Sequence, residues 1–392
     1  MKKTILLSMV AATFTFASSY TNSEEILKDT FDTNFKCTPI EGCVGSNISI
    51  NNATVKNMRI VLGENFKLNY SKKSILKKAK SICGKNKECI LKVSISEESK
   101  KVKNIFTQSK RVELDNVLLS TPDNEYEVSI SEVIIENNSP LHRIDLDNLT
   151  IDDLLINSKI TLNGLTSTKL RDIVTHLKSV LPKSNKVKYD KKEDKLVKVN
   201  NPIINDINNK FITMYSTLFS NTKMSTVSDV VLSINSTEKD KVLFTKLRIN
   251  VNDSLSGKSN LEVDLKLRDA VEKIGKFSEA SGLAIVMTLL SNVIIDRVDF
   301  KNNQEMLVLK HKTKLVSDPS YKKNYIELLS LIDETAKDLS LYNRFGYKLL
   351  SLKYVDSSLA IKNKNEMKTI QFMNVISTIE NKDFFEVVES YK

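Results

Sequence analysis

The chain has 392 residues, a formal net charge of +11, 41% hydrophobic residues and no tryptophan. That is enough apolar chain for a substantial core, as one elongated domain or two compact ones. The positive charge is mostly lysine, with no arginine cluster and few aromatics among the basic runs, which argues against a nucleic-acid track.

The chain opens on Lys2 and Lys3, a mostly apolar run from Ile5 to Ala17 and the small residues Ala17, Ser18 and Ser19. This order predicts a signal peptide over residues 1–19, with the mature chain starting near Tyr20. The run falls short of the ~20 apolar residues that span a bilayer, so no transmembrane segment is expected after its removal. No cysteine follows the run, so no lipid anchor is expected. The expected destination is the periplasm or cell surface of a bacterium.

All four cysteines fall in two short loops of matching spacing, Cys37 with Cys43 and Cys83 with Cys89. Free thiols pair in an oxidising compartment, and four cysteines allow about three connectivities. Local pairing is favoured, because Pro39 and Gly42 suit a turn in the first loop and Gly84 and Asn86 in the second. A four-thiolate zinc site fits less well, since its ligands usually lie about two to four residues apart. A redox pair would more naturally be C-x-x-C. After each loop comes a similar run, Val55-Lys56-Asn57-Met58 and Val102-Lys103-Asn104-Ile105, which suggests two related loop–strand–turn–strand units. Residues 20–120 are therefore taken as a cysteine-stapled, β-rich region.

Residues 121–392 are read as a curved antiparallel sheet with packing helices, continuous with that region or separate from it. Alternating apolar and polar residues predict strands over 112–120, 126–137, 142–156, 229–235, 242–252, 260–268, 293–302, 305–316 and 347–355. The period of two buries one face and wets the other, the antiparallel pattern. The lysine-rich run 183–198 alternates signs through Asp190, Glu193 and Asp194 and reads as a solvated loop or hairpin. Helices are predicted over 165–181, stopped by Pro182, over 201–219, and over 320–345, with one or two more in the tail.

A further helix is expected from Arg268, and its second half, Leu283 to Leu290, is almost wholly apolar. Such a helix is either a core helix cradled by a sheet or the lining of an apolar groove, through Leu283, Ile285, Val286, Leu289 and Leu290.

Catalytic signatures are sparse. The three histidines, His142, His176 and His311, have no second ligand at metal spacing, and no G-x-S-x-G elbow occurs. Asp145, Asp147, Asp152 and Asp153 crowd one segment, but no tryptophan accompanies them to grip a sugar and no calcium-loop pattern appears. No metal and no cofactor are expected.

Phe35, Lys36, Cys37, Cys43, Lys56, Asn57, Met58 and Ile60 form a pattern that resembles the N-terminal part of the jejuni lipoprotein A type of Campylobacter surface adhesin. The resemblance covers under a tenth of the chain. It implies a strongly curved, unclosed antiparallel half-barrel around an apolar concavity, with lipid-binding or host-adhesion roles and no catalysis. This chain departs from that pattern in lacking a lipidated cysteine and in carrying Cys83 and Cys89.

The combined expectation is a mainly β (α+β) fold, an elongated and strongly curved antiparallel sheet with several packing helices. The expected function is an exported, non-enzymatic protein with an apolar groove for a lipid or acyl chain. The alternatives are a surface adhesin or envelope assembly factor that binds a protein or glycan of the envelope or host surface, and, less favoured, a hydrolase.

Overall fold

The computed structural model describes residues 23–50, 53–63, 72–120, 127–138, 155–167, 181, 185–190, 195–200, 202–219, 227–275, 291–376 and 383–392. The fold is α+β and built on one large antiparallel sheet. Its twelve strands run in the order β1 (Phe35–Thr38), β2 (Gly42–Ile50), β3 (Ala53–Leu62), β4 (Ser109–Ser120), β5 (Glu127–Asn137), β6 (Asn157–Ser167), β9 (Ser228–Lys239), β10 (Val242–Asp253), β11 (Gly257–Arg268), β12 (Ile294–Asn303), β13 (Asp356–Asn363) and β14 (Phe385–Tyr391). The order begins at one edge strand and ends at another, so the sheet is open. A separate hairpin joins β7 (Asn185–Asp190) to β8 (Lys195–Asn200), as the sign-alternating run predicts. Two compact units divide the chain: Met1–Thr168 with Asp229–Glu238 and Val271–Ser278, and Lys169–Ser228 with Lys239–Ala270 and Glu279–Lys392.

In the first unit, the buried faces of β2–β5 meet α1 (23–31) and α3 (Lys87–Gln108) around Leu27, Phe31, Ile48, Met58, Ile60, Ile105, Val112 and Val133. The alternation along β3 slips between Val55 and Met58, both buried. Asn47 on β2 and Asn116 on β4 flank that point with left-handed backbone, φ 55° and 50°, which re-aims the side chains there. Lys101 of α3 is 2% exposed, and its Nζ lies 2.8 Å from Asp29 Oδ2 of α1, the partner that makes a buried ammonium tolerable. Both disulfides are local, with S–S distances of 2.03 Å for Cys37–Cys43 and 1.98 Å for Cys83–Cys89.

The second cysteine loop does not repeat the first. Cys83 closes α2 (Lys72–Cys83), Gly84 turns with φ 59°, and Asn86 caps α3 by accepting the Cys89 N–H at 3.1 Å. The segment after Cys89 is thus helical, where alternation suggested a strand, and Val102–Ile105 has no structural kinship with Val55–Met58 of β3. The alternation there is mostly lysine, serine and glutamate, residues that also suit the outer face of a helix.

In the second unit, α4 (Pro202–Phe219), α6 (Glu305–Ser317), α7 (Pro319–Thr335) and α8 (Leu341–Leu350) enclose a core of Ile207, Phe211, Met214, Val308, Tyr321, Leu328 and Tyr347. Phe211 and Tyr347 stack at 5.6 Å, and the Tyr347 hydroxyl donates to Asn208 Oδ1 at 3.0 Å. A short helix, α5 (Ala270–Gly275), follows β11, and α9 (Thr369–Ile376) lies between β13 and β14.

Several expected elements change type here. Residues 305–316 form helix α6, since Leu307, Val308 and His311 gather on its buried side. The long helix expected over 320–345 breaks into α7, a 3-10 turn at Ala336–Asp338 and α8, which Ser340 caps through the Asn343 N–H at 3.3 Å. Residues 347–350 belong to α8, and the strand starts only at Asp356. Residues 165–167 end β6 instead of opening a helix, and the described residues of the tail give helix α9 and strand β14. Residues 168–180, most of the predicted strand 142–156, and 276–290 lie outside the described residues.

Candidate functional site

The sheet of the second unit has one charged face and one apolar face, and the register keeps them apart. Leu247, Val263 and Val298 form a cross-strand row that continues to Ile361 on β13, and Ile249, Leu261 and Phe300 form the next row, ending at Leu359. One residue out of step, Lys246, Asp264 and Arg297 form a row on the other face, beside Arg248, Glu262 and Asp299. There Lys246 Nζ lies 2.9 Å from Glu262 Oε1 and 3.5 Å from Asp264 Oδ1, Arg248 Nε 2.6 Å from Glu262 Oε2, and Arg297 Nε 2.7 Å from Asp299 Oδ2. The hydrogen bond from Lys246, with help from Arg248, holds the Glu262 carboxyl below the usual carboxylate range and against the effect of partial burial. A slip of one residue would carry this ladder to the apolar side, so the register is firmly set.

The turn at the end of β10 is built to the same standard. Asp253 accepts from the Leu255 N–H at 2.9 Å, the Ser256 N–H at 2.7 Å and the Ser228 hydroxyl at 2.6 Å. Burial pushes its carboxyl up, but these donors outweigh it and hold it low. Gly257 follows with φ 85°, and a side chain there would meet the Asn303 carbonyl oxygen at 2.0 Å.

Cover over the apolar face fades across the sheet. At β13, Ile361 is 3% and Leu359 8% exposed, sealed by a cluster with Leu341 and Phe345 of α8 and Phe372 of α9. At β12, Phe300 is half-buried and meets the Phe345 ring edge-on at 5.8 Å. At β10, Ile249 is 36% exposed. Leu247, Ile249, Val251 and Leu261 join none of the buried clusters among the described residues. Among the described residues, an apolar strip of β10 and β11 is therefore left partly uncovered, where the same rows on β13 are sealed.

An open cleft of about 550 Å³ lies between α4 and α7, lined by Asp206, Asn209, Lys210, Glu327, Ser330 and Leu331. Lys210 pairs with Glu327, whose carboxyl is held low mainly by that hydrogen bond. Ser330 donates to Glu334 at 3.1 Å. These contacts are internal pairings on a helix surface and do not orient a nucleophile toward a base.

His311 sits in the helical core, 2% exposed, not on a strand. Its Nδ1 shares a 2.6 Å hydrogen bond with the Tyr321 hydroxyl, and its ring meets the Tyr325 ring at 4.5 Å. The expected groove residues Leu283, Ile285, Val286, Leu289 and Leu290 lie outside the described residues, as do His142, His176, Asp145, Asp147, Asp152 and Asp153. Among the described residues, no group of three or more His, Cys, Asp or Glu side chains could hold a metal ion, and no helix is long and apolar enough to cross a membrane. The β10–β11 strip is the feature that sequence reading missed. Its residues alternate as expected, but alternation marks which face is apolar, not which part of that face is covered.

Comparison of the chain with protein-family models finds no match, and comparison with curated proteins finds none.

Proposed function

We propose that this chain is an exported, non-enzymatic binding protein, and that the partly covered apolar strip on β10 and β11 takes an acyl chain or similar lipid-like ligand. The carrying observation is the burial gradient along one cross-strand row, from Leu359 at 8% exposed to Ile249 at 36%. Water contact with an apolar strand face flanked by a sealed core is unfavourable by about 25 cal/mol per Å², and an apolar ligand relieves it. A hydrolase reading draws nothing from His311, whose ring is enclosed by Tyr321 and Tyr325.

Titration of the purified mature chain with a fluorescent fatty acid tests this. Binding should be saturable and weaken by about tenfold or more, worth ~1.4 kcal/mol, in an Ile249→Glu, Leu261→Glu variant. Arg248→Gln on the charged face should leave it unchanged. Absence of saturable binding, or equal binding by both variants, would reject the proposal.

A second reading, adhesion to an acidic protein or glycan, draws on the β7–β8 hairpin, whose lysines outnumber its acids and which forms a sheet of its own. Such binding would fall with rising salt. Acyl binding to the strip would not.

A further inference from the structure

The sheet has two edges, and they are finished differently. β1 is four residues long and cross-linked to β2 by Cys37–Cys43, and its Cys37 N–H donates to Glu24 Oε1 at 2.7 Å. These are devices that blunt an edge. β14 is seven residues long, FEVVESY, without proline, glycine or lysine.

The phase of its hydrogen bonds is fixed. Asp356 and Lys392 exchange both backbone bonds, at 3.1 and 2.9 Å, and the Lys364 N–H donates to the Phe384 carbonyl at 3.1 Å. By antiparallel alternation Glu386, Val388 and Ser390 turn their backbone groups to β13, while Phe385, Val387, Glu389 and Tyr391 turn theirs outward. Among the described residues, no backbone or side-chain group bonds these outward N–H and C=O groups. Val388, at the centre of the strand, is 57% exposed.

We propose that β14 pairs antiparallel with β14 of a second copy of this chain, about a two-fold axis at Val388. Only outward-facing residues can bond across such an edge, so the register must match them with one another. Full overlap does so. It sets Phe385 against the partner's Tyr391, Val387 against the partner's Glu389, Glu386 against the partner's Ser390, and Val388 against the partner's Val388. No like charges then face each other, and the exposed valine is covered by its own copy. Registers centred on Glu386 or Glu389 oppose like charges, and one centred on Val387 carries Tyr391 past the end of the partner strand. The self-complementary register is what favours a second copy over an unrelated extended peptide.

The test uses the full mature chain. Sedimentation equilibrium should show a reversible dimer, and Val388→Lys, which sets two ammonium groups at the axis, should lose it while keeping the wild-type circular dichroism. At a pair without hydrogen bonds the Cα atoms lie ~4.5 Å apart, within disulfide reach. Val388→Cys should therefore oxidise to a covalent dimer that reductant reverses. Glu386→Cys alone should not cross-link, but should do so when mixed with Ser390→Cys. A wild type that stays monomeric, with Val388→Cys unlinked, overturns the proposal. So does a dimer indifferent to Val388→Lys, or Glu386→Cys that links to itself as readily as Val388→Cys.

Discussion

His311 is the clearest case of a single side chain whose surroundings set its chemistry. Burial, reinforced by the neighbouring Lys312 charge, pushes its imidazole down from 6.5 to about 4. The unfolded chain therefore binds a proton at higher pH than the folded one. Stability is complete above the unfolded value of 6.5 and is lost as pH falls toward about 4. A shift of this size corresponds to a loss of roughly 3 kcal/mol across that window. Urea denaturation at pH 7 and pH 4 should show that loss in the wild type, and a smaller one in His311→Gln, which cannot take up a proton there. An identical pH dependence in both would show that the ring carries no such penalty. Nothing in the sequence around His311 announced this burial, because a histidine between Lys310 and Lys312 reads as exposed, and only the packing of Tyr321 and Tyr325 from α7 encloses it.

Among the elements, β4, β5 and β9–β12 were legible because their apolar residues alternate without competition from a helical stripe. α4 was legible for the converse reason, with Ile204, Ile207, Phe211, Met214 and Leu218 on one side and Pro202 at its start. α6 was not, since Leu307, Leu309, His311 and Thr313 fit a strand while Leu307, Val308, His311 and Leu315 fit a helix, and packing against α7 decided the matter. α3 was hidden by a polar alternation that suits either state, and its start is set by the Asn86 cap and the Cys83–Cys89 bridge. Replacing both of these cysteines with serine should cost about 2 kcal/mol, the low end for a short loop. Hydrogen exchange should then speed up in α2 and the first turns of α3 and leave β10–β13 as they were. A uniform rise across both units would contradict a local role for that bridge.

For the molecule as a whole, the antiparallel character of the sheet followed from the period of two and the lack of continuous apolar strands, and its open edges were what the resemblance implied, while the pairing order of twelve strands followed from neither. Order is settled by long-range packing that a pattern within one strand cannot encode. The candidate site was half legible for the same reason. Alternation gave the apolar face of Leu247, Ile249 and Leu261, but its partial exposure depends on how far the helical cluster around Phe345 and Phe372, which reaches Val263 and Phe300 but not these three residues, extends over the sheet. That unfinished cover is the physical basis of the proposed ligand site. The most direct measurement is native mass spectrometry of the chain purified from the cells that make it. A co-purifying acyl species that disappears in the Ile249→Glu, Leu261→Glu variant is the predicted result, and bare protein in both preparations would contradict it.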